Sequence, residues 1–236
     1  MAIRSTLRPR WLPKRSFPPY AYLPGRQPHP VRDPAGHSYQ VEPVVSVEAT
    51  LDSDPFLWGL DLFNHGYYWE AHEAWEGLWQ IARRGDPLRI LFKGLILLSA
   101  AGVKIRADKD AAAVHHAGRA AERLRRLTPD PAFERALGMS PSTLAENAEA
   151  AVGNSTAVQA TAAGQPQPVF DFILGSRGLR RESLTRSIHP WPNDLLAQCI
   201  SNPDFDILAN STAKVSRGLS SASSVRKLLE PNGARD

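Results

Sequence analysis

Reactive and aromatic side chains are concentrated in residues 63–79, which read FNHGYYWEAHEAWEGLW. Three Trp, two Tyr, two His and three Glu fall within these seventeen residues. If residues 67–83 form one helix, then His72, Glu76 and Trp79 lie along one edge of an apolar stripe, because residues three or four positions apart are neighbours on a helix surface. The stripe requires another helix to cover it. The spacing therefore predicts a polar seam beside a helix–helix contact.

Metal ligation is the first chemistry that this spacing allows. His72 and Glu76 are one helical turn apart, so both side chains can ligate one divalent metal ion. The run His72-Glu73-Ala-Trp-Glu76 is similar to the zinc-protease motif HExxH, with Glu in place of the second His. Two protein ligands are too few, and the candidates for a third are His29, His37, His65 and His115. The competing interpretation is a buried polar cluster that holds no metal.

Acid–base chemistry is the second interpretation of the same seam. A glutamate beside an apolar wall and Trp79 has a raised pKa, whereas a nearby lysine lowers that pKa again. The sequence does not give the distances that decide between the two directions. Glu70 and Glu73 are expected to turn further towards solvent than Glu76.

Helices are predicted before and after this segment. They cover residues 54–63, 88–106 and 110–127, with a weaker helix at 142–151. Asp54 before Pro55 is predicted to be an N-cap, and Gly66 is predicted to take a positive φ in the turn that follows the first helix. The helix at 88–106 is apolar nearly all the way round, which is typical of a helix in the middle of an all-helical domain.

Lys93 and Lys104 are unusual on a buried helix. They are eleven residues apart, almost three helical turns, so both fall on one stripe. A buried lysine needs an acidic partner or an exit to water. Two interpretations stay open: the side chains reach the rim through their aliphatic stems, or one of them faces the seam of His72 and Glu76.

These patterns predict an all-α fold, a compact bundle of about four to five helices with an extended Pro-rich N-terminal arm and a poorly ordered C-terminal tail. The expected boundaries are 1–50 for the arm, 51–151 for the helical domain, 152–174 for a linker with a short extended segment, and 175–236 for the tail. Within the linker, residues 169–174 are expected to form a short strand or extended segment on the domain surface.

The N-terminal arm is predicted to be extended, since residues 1–50 contain nine prolines and few periodic apolar positions. It can be ordered only by lying on the rest of the protein. One interpretation is that its Tyr and Leu side chains fill surface grooves of the helical domain. The other is that His29 or His37 reaches the seam at His72.

Composition limits the classes of function. The net charge is +4, and residues 1–32 carry seven Lys or Arg and no acid, so the excess is local and nucleic acid is disfavoured as a partner. The one cysteine, Cys199, excludes an internal disulfide. No apolar run has the length of a membrane span, and the N-terminus lacks the apolar core of a signal peptide. A cytoplasmic location is therefore expected.

The run LFNHGYYWEAHEAWEGLW, followed by LFKGLILLSAAGVK and a basic helix with small residues, resembles the family called domain of unknown function 309. The similarity covers residues 54–127. It rests on the Asn-x-Gly turn, Tyr67-Tyr68, Ala71-His72-Glu73, Glu76, Trp79 and Gly94-Leu95-Ile96. Members of this family are small all-helical proteins of bacteria and plastids. The resemblance implies a fold and the location of a site, and it implies no activity.

The main functional hypothesis is a binding protein whose site holds a small molecule or a segment of a partner protein. One alternative is a metal-assisted or acid–base hydrolase that uses the same residues, and another is a purely structural interaction module. The pattern does not decide whether the protein is an enzyme. The candidate functional residues are Asn64, Tyr68, His72, Glu73, Glu76, Trp79, Lys93 and Lys104.

Overall fold

Regular secondary structure is almost entirely helical in this computed structural model, which describes residues 8–41, 44–45, 48–153, 164–175 and 189–190. Within those residues there are six helices: α1 (Asp54–Asn64), α2 (Tyr68–Ile81), α3 (Pro87–Arg106), α4 (Asp110–Arg125), α5 (Pro131–Leu137) and α6 (Pro141–Gly153). Two short strands, β1 (Val44–Val45) and β2 (His189–Pro190), pair antiparallel with Val44 opposite Pro190. The predicted all-α fold is confirmed.

α5 was not predicted from the sequence. Prolines after α4 indicate the end of a helix, yet Pro131 occupies the first turn of α5, where no main-chain N–H is needed. The Asp130 carboxylate caps this turn by accepting the main-chain N–H of Ala132 at 2.7 Å. Gly138 ends the helix in the left-handed conformation, with φ of 78°. The described residues therefore contain six helices rather than four to five.

Both Asp-Pro pairs mark helix starts. Asp86 is the N-cap of α3 and accepts the main-chain N–H of Leu88 at 2.8 Å. At α1 the predicted cap is wrong by one residue, because the helix begins at Asp54 and Ser53 is the N-cap. The Ser53 hydroxyl donates to the carbonyl oxygen of Thr50 and does not cap the helix.

α2 begins after the predicted turn and ends early. Gly66 has a φ of 85°, as expected for the turn between α1 and α2. α2 then ends at Ile81 rather than at residue 83. Arg89 fixes this end, since its guanidinium donates to three carbonyl oxygens of the last turn: those of Trp79, Gln80 and Ala82.

α3 packs against both α2 and α4 and is the central helix of the domain. Two glycines permit close approach. A Cβ at Gly102 would lie 2.6 Å from Cγ of Tyr68 on α2, and a Cβ at Gly94 would lie 2.9 Å from a methyl carbon of Leu124 on α4. Because Tyr68 begins α2 and Gly102 lies near the end of α3, the two helices run antiparallel.

Small buried side chains hold α6 against α4. Ala117, Ala120 and Ala121 of α4 are fully buried, and so are Ala145 and Ala148 of α6. None of the helices in the described ranges is long and apolar enough to cross a lipid bilayer.

Two extended segments lie on the helices. Residues 8–41 contain no helix, and Tyr22 and Leu23 are buried, which agrees with an arm that fills grooves. Residues 164–175 are also extended, and the side chains of Phe170 and Leu174 are buried against the helices. The predicted disorder of residues 175–236 falls almost wholly outside the described residues.

Replacing Gly102 by Ala is expected to lower the free energy of unfolding by about 1–3 kcal/mol, because the added methyl group collides with the buried Tyr68 ring. Gly118→Ala is the matched control, since no side chain or neighbouring segment lies within 4 Å of a Cβ there. It is expected to raise stability by about 0.5–1 kcal/mol. Urea unfolding measures both. Equal stability of the two variants would contradict the close contact of α2 and α3.

Candidate functional site

Asn64 binds the main chain of the extended segment 164–175. Its Nδ2 donates to the carbonyl oxygen of Leu174 at 2.8 Å, and its Oδ1 accepts the N–H of the same residue at 2.8 Å. Asn64 is fully buried at the end of α1. One side-chain amide therefore satisfies both main-chain groups of one residue, in the way that a neighbouring β-strand would.

Tyr68 and Gly66 contact the same segment one turn away. The Tyr68 hydroxyl oxygen accepts the N–H of Val169 at 2.7 Å, and burial raises the pKa of Tyr68 to about 12, so the hydroxyl stays neutral. Gly66 gives the segment room, because a Cβ there would lie 2.4 Å from the main chain of Gln167. Asn64 and Tyr68 thus both bind the main chain of this segment.

Arg106, at the end of α3, completes this set and was missed by sequence reasoning. Its guanidinium donates to the carbonyl oxygen of Gln165 at 2.7 Å and to that of Gly66 at 3.2 Å. It is buried, and burial lowers its pKa while the negative charge of Glu70 raises it. A basic residue in the last turn of an apolar helix is ordinarily interpreted as a helix cap. The contact of Arg106 with residue 165, far along the chain, was therefore not predicted. Asn64, Gly66, Tyr68 and Arg106 are called the segment-binding residues below.

Aromatic contacts hold the middle of the segment. The Phe170 ring stacks on Phe63 with centroids 5.2 Å apart and meets Tyr68 edge-on at 5.5 Å. Phe172 lies 6.1 Å from Phe63. Only Phe170 of the two is fully buried, so it is the anchoring side chain of the segment.

The N-terminal arm is held through Asp61, a fully buried residue of α1. The Asp61 carboxylate accepts the main-chain N–H groups of Trp11 at 2.8 Å and Leu12 at 2.9 Å, and the Arg10 Nε at 3.2 Å. Asp61 was not predicted to have a role. Its partners lie about fifty residues away in the arm, and no local sequence pattern indicates them. Three charge-assisted bonds make it the main anchor of the arm.

Glu70 is the second anchor of the arm, and its expected exposure to solvent was wrong. It is 6 % exposed, and Oε1 accepts the N–H of Tyr22 at 2.9 Å and lies 3.3 Å from Nε2 of His37. His29 meets Trp69 edge-on at 5.5 Å. The two arm histidines therefore contact the start of α2, at Glu70 and Trp69, and the proposed contact with His72 is replaced by these.

His72 and Glu76 lie one turn apart on α2, and the charges of His72 and of Lys104 on α3 both act on His116 of α4. Nε2 of His72 lies 3.7 Å from Oε2 of Glu76, and both side chains are buried. Lys104 of α3 is 3 % exposed, and its pKa falls to about 8 through burial and the charge of Lys109. His116 of α4 is 2 % exposed, and burial lowers its pKa to about 4. His72, Glu76, Lys104 and His116 are called the polar cluster below.

The remaining candidates are Glu73 and Trp79 of α2 and Lys93 of α3. Glu73 is partly buried, and burial raises its pKa to about 8 with help from the charges of Glu76 and Glu70. The Lys93 Nζ lies 4.8 Å from the centre of the Trp79 ring, a cation–π contact. The pairing of a lysine with a glutamate of α2 stays a prediction.

The described residues do not fit a metal site built on His72 and Glu76. No group of three or more His, Cys, Asp or Glu within the described ranges is arranged to hold a metal ion. The four candidate third ligands lie elsewhere: His29 on Trp69, His37 on Glu70, His65 on the carbonyl oxygen of Asp61, and His115 exposed on α4. The HExxE spacing alone is therefore insufficient for a metal centre.

Comparison with protein families gives one match. Residues 56–120 match the model of the family described as Domain of unknown function (DUF309). This confirms the resemblance, over a slightly shorter span than expected. No curated protein and no solved structure matches the chain.

Replacing Glu73 by Gln is expected to make stability less dependent on pH. Because the pKa of Glu73 is raised from 4.5 to about 8, the folded protein binds this proton more tightly than the unfolded chain does. The wild type should therefore lose stability relative to the variant as the pH rises from 4.5 towards 8, by at most about 1.4 kcal/mol per pH unit.

Urea unfolding at several pH values measures this difference. Glu134→Gln, on the exposed face of α5, is the control and should follow the wild type. A constant difference between wild type and Glu73→Gln from pH 4.5 to 8 would contradict a protonated Glu73.

Proposed function

We propose that this chain, whose residues 56–120 match the model of the DUF309 family, uses its helical core as a binding module for extended polypeptide segments. One observation carries the proposal: the buried Asn64 amide makes both main-chain hydrogen bonds of Leu174. Asn64 lies inside the family match, and Leu174 lies outside it. The family core supplies the binding surface, and the bound segment is an addition to that core.

The binding surface recognises main chain more than side chains. The segment-binding residues contact carbonyl oxygens or N–H groups at Gln165, Val169 and Leu174, and Gly66 allows the close approach at Gln167. Main-chain bonds supply affinity for many sequences, whereas a side-chain pocket supplies selectivity. That pocket is the aromatic site of Phe170. The preferred ligand is therefore an extended segment with one aromatic anchor.

The buried polar groups of this surface require an occupant. Asn64 is fully buried, and Tyr68 is 1 % exposed. Each buried amide or hydroxyl that loses its partner costs roughly 1–3 kcal/mol. The surface is thus stable only with a polypeptide segment, or solvent in its place, on these groups. Exchange of the chain's own segment for a partner segment keeps every bond.

The hypothesis of a partner segment is therefore preferred to the two alternatives. The metal-assisted form of the hydrolase alternative lacks a third metal ligand within the described part of the chain, whereas its acid–base form stays a prediction. A purely structural module needs shape complementarity but no buried side chain aimed at main-chain groups. Asn64 and Tyr68 are aimed in this way.

Binding in trans tests the proposal. A fluorescent peptide of residues 164–175 is added to full-length Phe170→Ala, in which the chain's own segment has lost its anchor. We expect saturable binding to this variant and little to the wild type, whose site is filled. A double variant that carries both Phe170→Ala and Asn64→Ala should bind the peptide about thirtyfold more weakly than Phe170→Ala alone, because two hydrogen bonds of about 1 kcal/mol each are lost.

Asp171→Ala is the matched control, since Asp171 is an exposed residue of the same segment. It should behave as the wild type. If Phe170→Ala does not fold by circular dichroism, then Phe172→Ala, which removes a less buried ring, replaces it. A folded variant that fails to bind the peptide, or that binds it equally well without Asn64, would overturn the proposal.

A further inference from the structure

The segment 164–175 begins and ends with a glycine in the left-handed conformation. Gly164 has a φ of 86°, and Gly175 has a φ of 91°. Residues with a side chain rarely adopt such angles, because Cβ then crowds the main chain, whereas glycine adopts them freely. The conformation of the bound segment therefore favours glycine at both ends.

The N-terminal arm leaves no room for a side chain at Gly175. A Cβ there would overlap Cζ2 of the Trp11 ring and would lie 2.7 Å from Cη2. The main chain of Trp11 is held by the bond from its N–H to the Asp61 carboxylate at 2.8 Å. The main chain of Gly175 is held as well, since its N–H donates to the carbonyl oxygen of Leu137 at 2.7 Å. Any larger residue must therefore displace the indole ring.

The arm also covers the other end of the segment. The main-chain N–H of Ala21 donates to the carbonyl oxygen of Gly164 at 2.8 Å, and a Cβ at Gly164 would lie 3.2 Å from Cβ of Tyr20. The next residue of the arm, Tyr22, is bound through its N–H to Glu70 at 2.9 Å. Each end of the segment therefore meets the arm next to one of the two anchors of the arm.

A third contact with the arm lies between the two glycines, at the aromatic anchor. The Arg8 guanidinium donates to the carbonyl oxygen of Phe170 at 3.0 Å. The arm thus contacts the first residue of the segment, the anchor and the last residue. Because the arm is itself bound to α1 and α2, these contacts fix the spacing between the three positions.

We propose that the arm restricts the binding surface to segments that carry glycine at both ends. In this pattern, five residues separate the first glycine from an aromatic anchor, and four separate the anchor from the second glycine. Main-chain hydrogen bonds alone accept many sequences, and a clash against larger residues is how such a surface gains specificity. The inference rests on the proposed function and names the class of partner: an extended polypeptide with this spacing of glycine, aromatic residue and glycine.

Competition for the binding surface of full-length Phe170→Ala tests this pattern. Unlabelled peptides of residues 164–175, with acetylated and amidated ends, displace the fluorescent peptide. The change Gly164→Ala should weaken the peptide about tenfold through backbone strain. The change Gly175→Ala should weaken it about a hundredfold, because overlap with the indole ring of the arm adds to the strain.

Removal of the Trp11 ring shows whether the arm imposes the selection. In full-length protein that carries both Phe170→Ala and Trp11→Ala, Gly175→Ala should weaken the peptide only about tenfold, because backbone strain alone is left. The effect of Gly164→Ala should stay the same, which controls for a general loosening of the arm. Equal weakening by Gly175→Ala with and without the ring would overturn the role of the arm.

The control peptide carries Gln165→Ala, which changes an exposed side chain and should compete as well as the unaltered peptide. If the unaltered peptide binds and either alanine-for-glycine peptide competes equally well, the inference is wrong and the proposed function stands. If the unaltered peptide does not bind a folded variant, the proposed function is wrong and the inference falls with it. Phe172→Ala replaces Phe170→Ala throughout if the latter does not fold.

Discussion

Hydrogen bonds from buried side chains to main chain hold the two extended segments on the helices, and the rest of the fold depends on them. A segment that forms neither helix nor sheet leaves some of its buried N–H and C=O groups without main-chain partners, so side chains of the helical surface must bind those groups. Two side chains, Asp61 and Glu70, bind the main chain of the arm. Two others, Asn64 and Tyr68, bind the main chain of residues 164–175. These four side chains are themselves buried and need the segments as partners. Helices and segments therefore stabilise each other.

Contact with both segments explains why residues 63–79 are so rich in aromatic side chains. α2 packs on α3, receives the arm at Glu70, and presents Tyr68 to the segment 164–175. A helix that is covered on several faces requires large side chains all round, and Tyr or Trp can bury area while offering a polar atom at the tip. His72 and Glu76 lie one turn further along α2 and belong to the polar cluster. Residues 63–79 thus contribute to more than one interface within the protein.

Sequence patterns predicted the helices well because helix formation is local. The central position of α3 follows from its apolar circumference, and the turn at Gly66 follows from its need for positive φ. The docking of the segments could not be predicted in this way. Asn64 and Leu174 are 110 residues apart, and nothing near either residue specifies the other. Glu70 was expected at the surface for the same reason, since the arm that contacts it is distant in sequence.

The two segments are synthesised at different times relative to the helices that they cover. The arm precedes α1 and α2, so it is present when Asp61 and Glu70 emerge and can cover them at once. Leu174 emerges 110 residues after Asn64, a delay of roughly 5–20 s at usual rates of translation. During that interval the Asn64 amide and the Phe63 ring have no segment from their own chain. During synthesis on a polysome, this surface is therefore open to a segment of a neighbouring chain for longer than the surface that the arm covers.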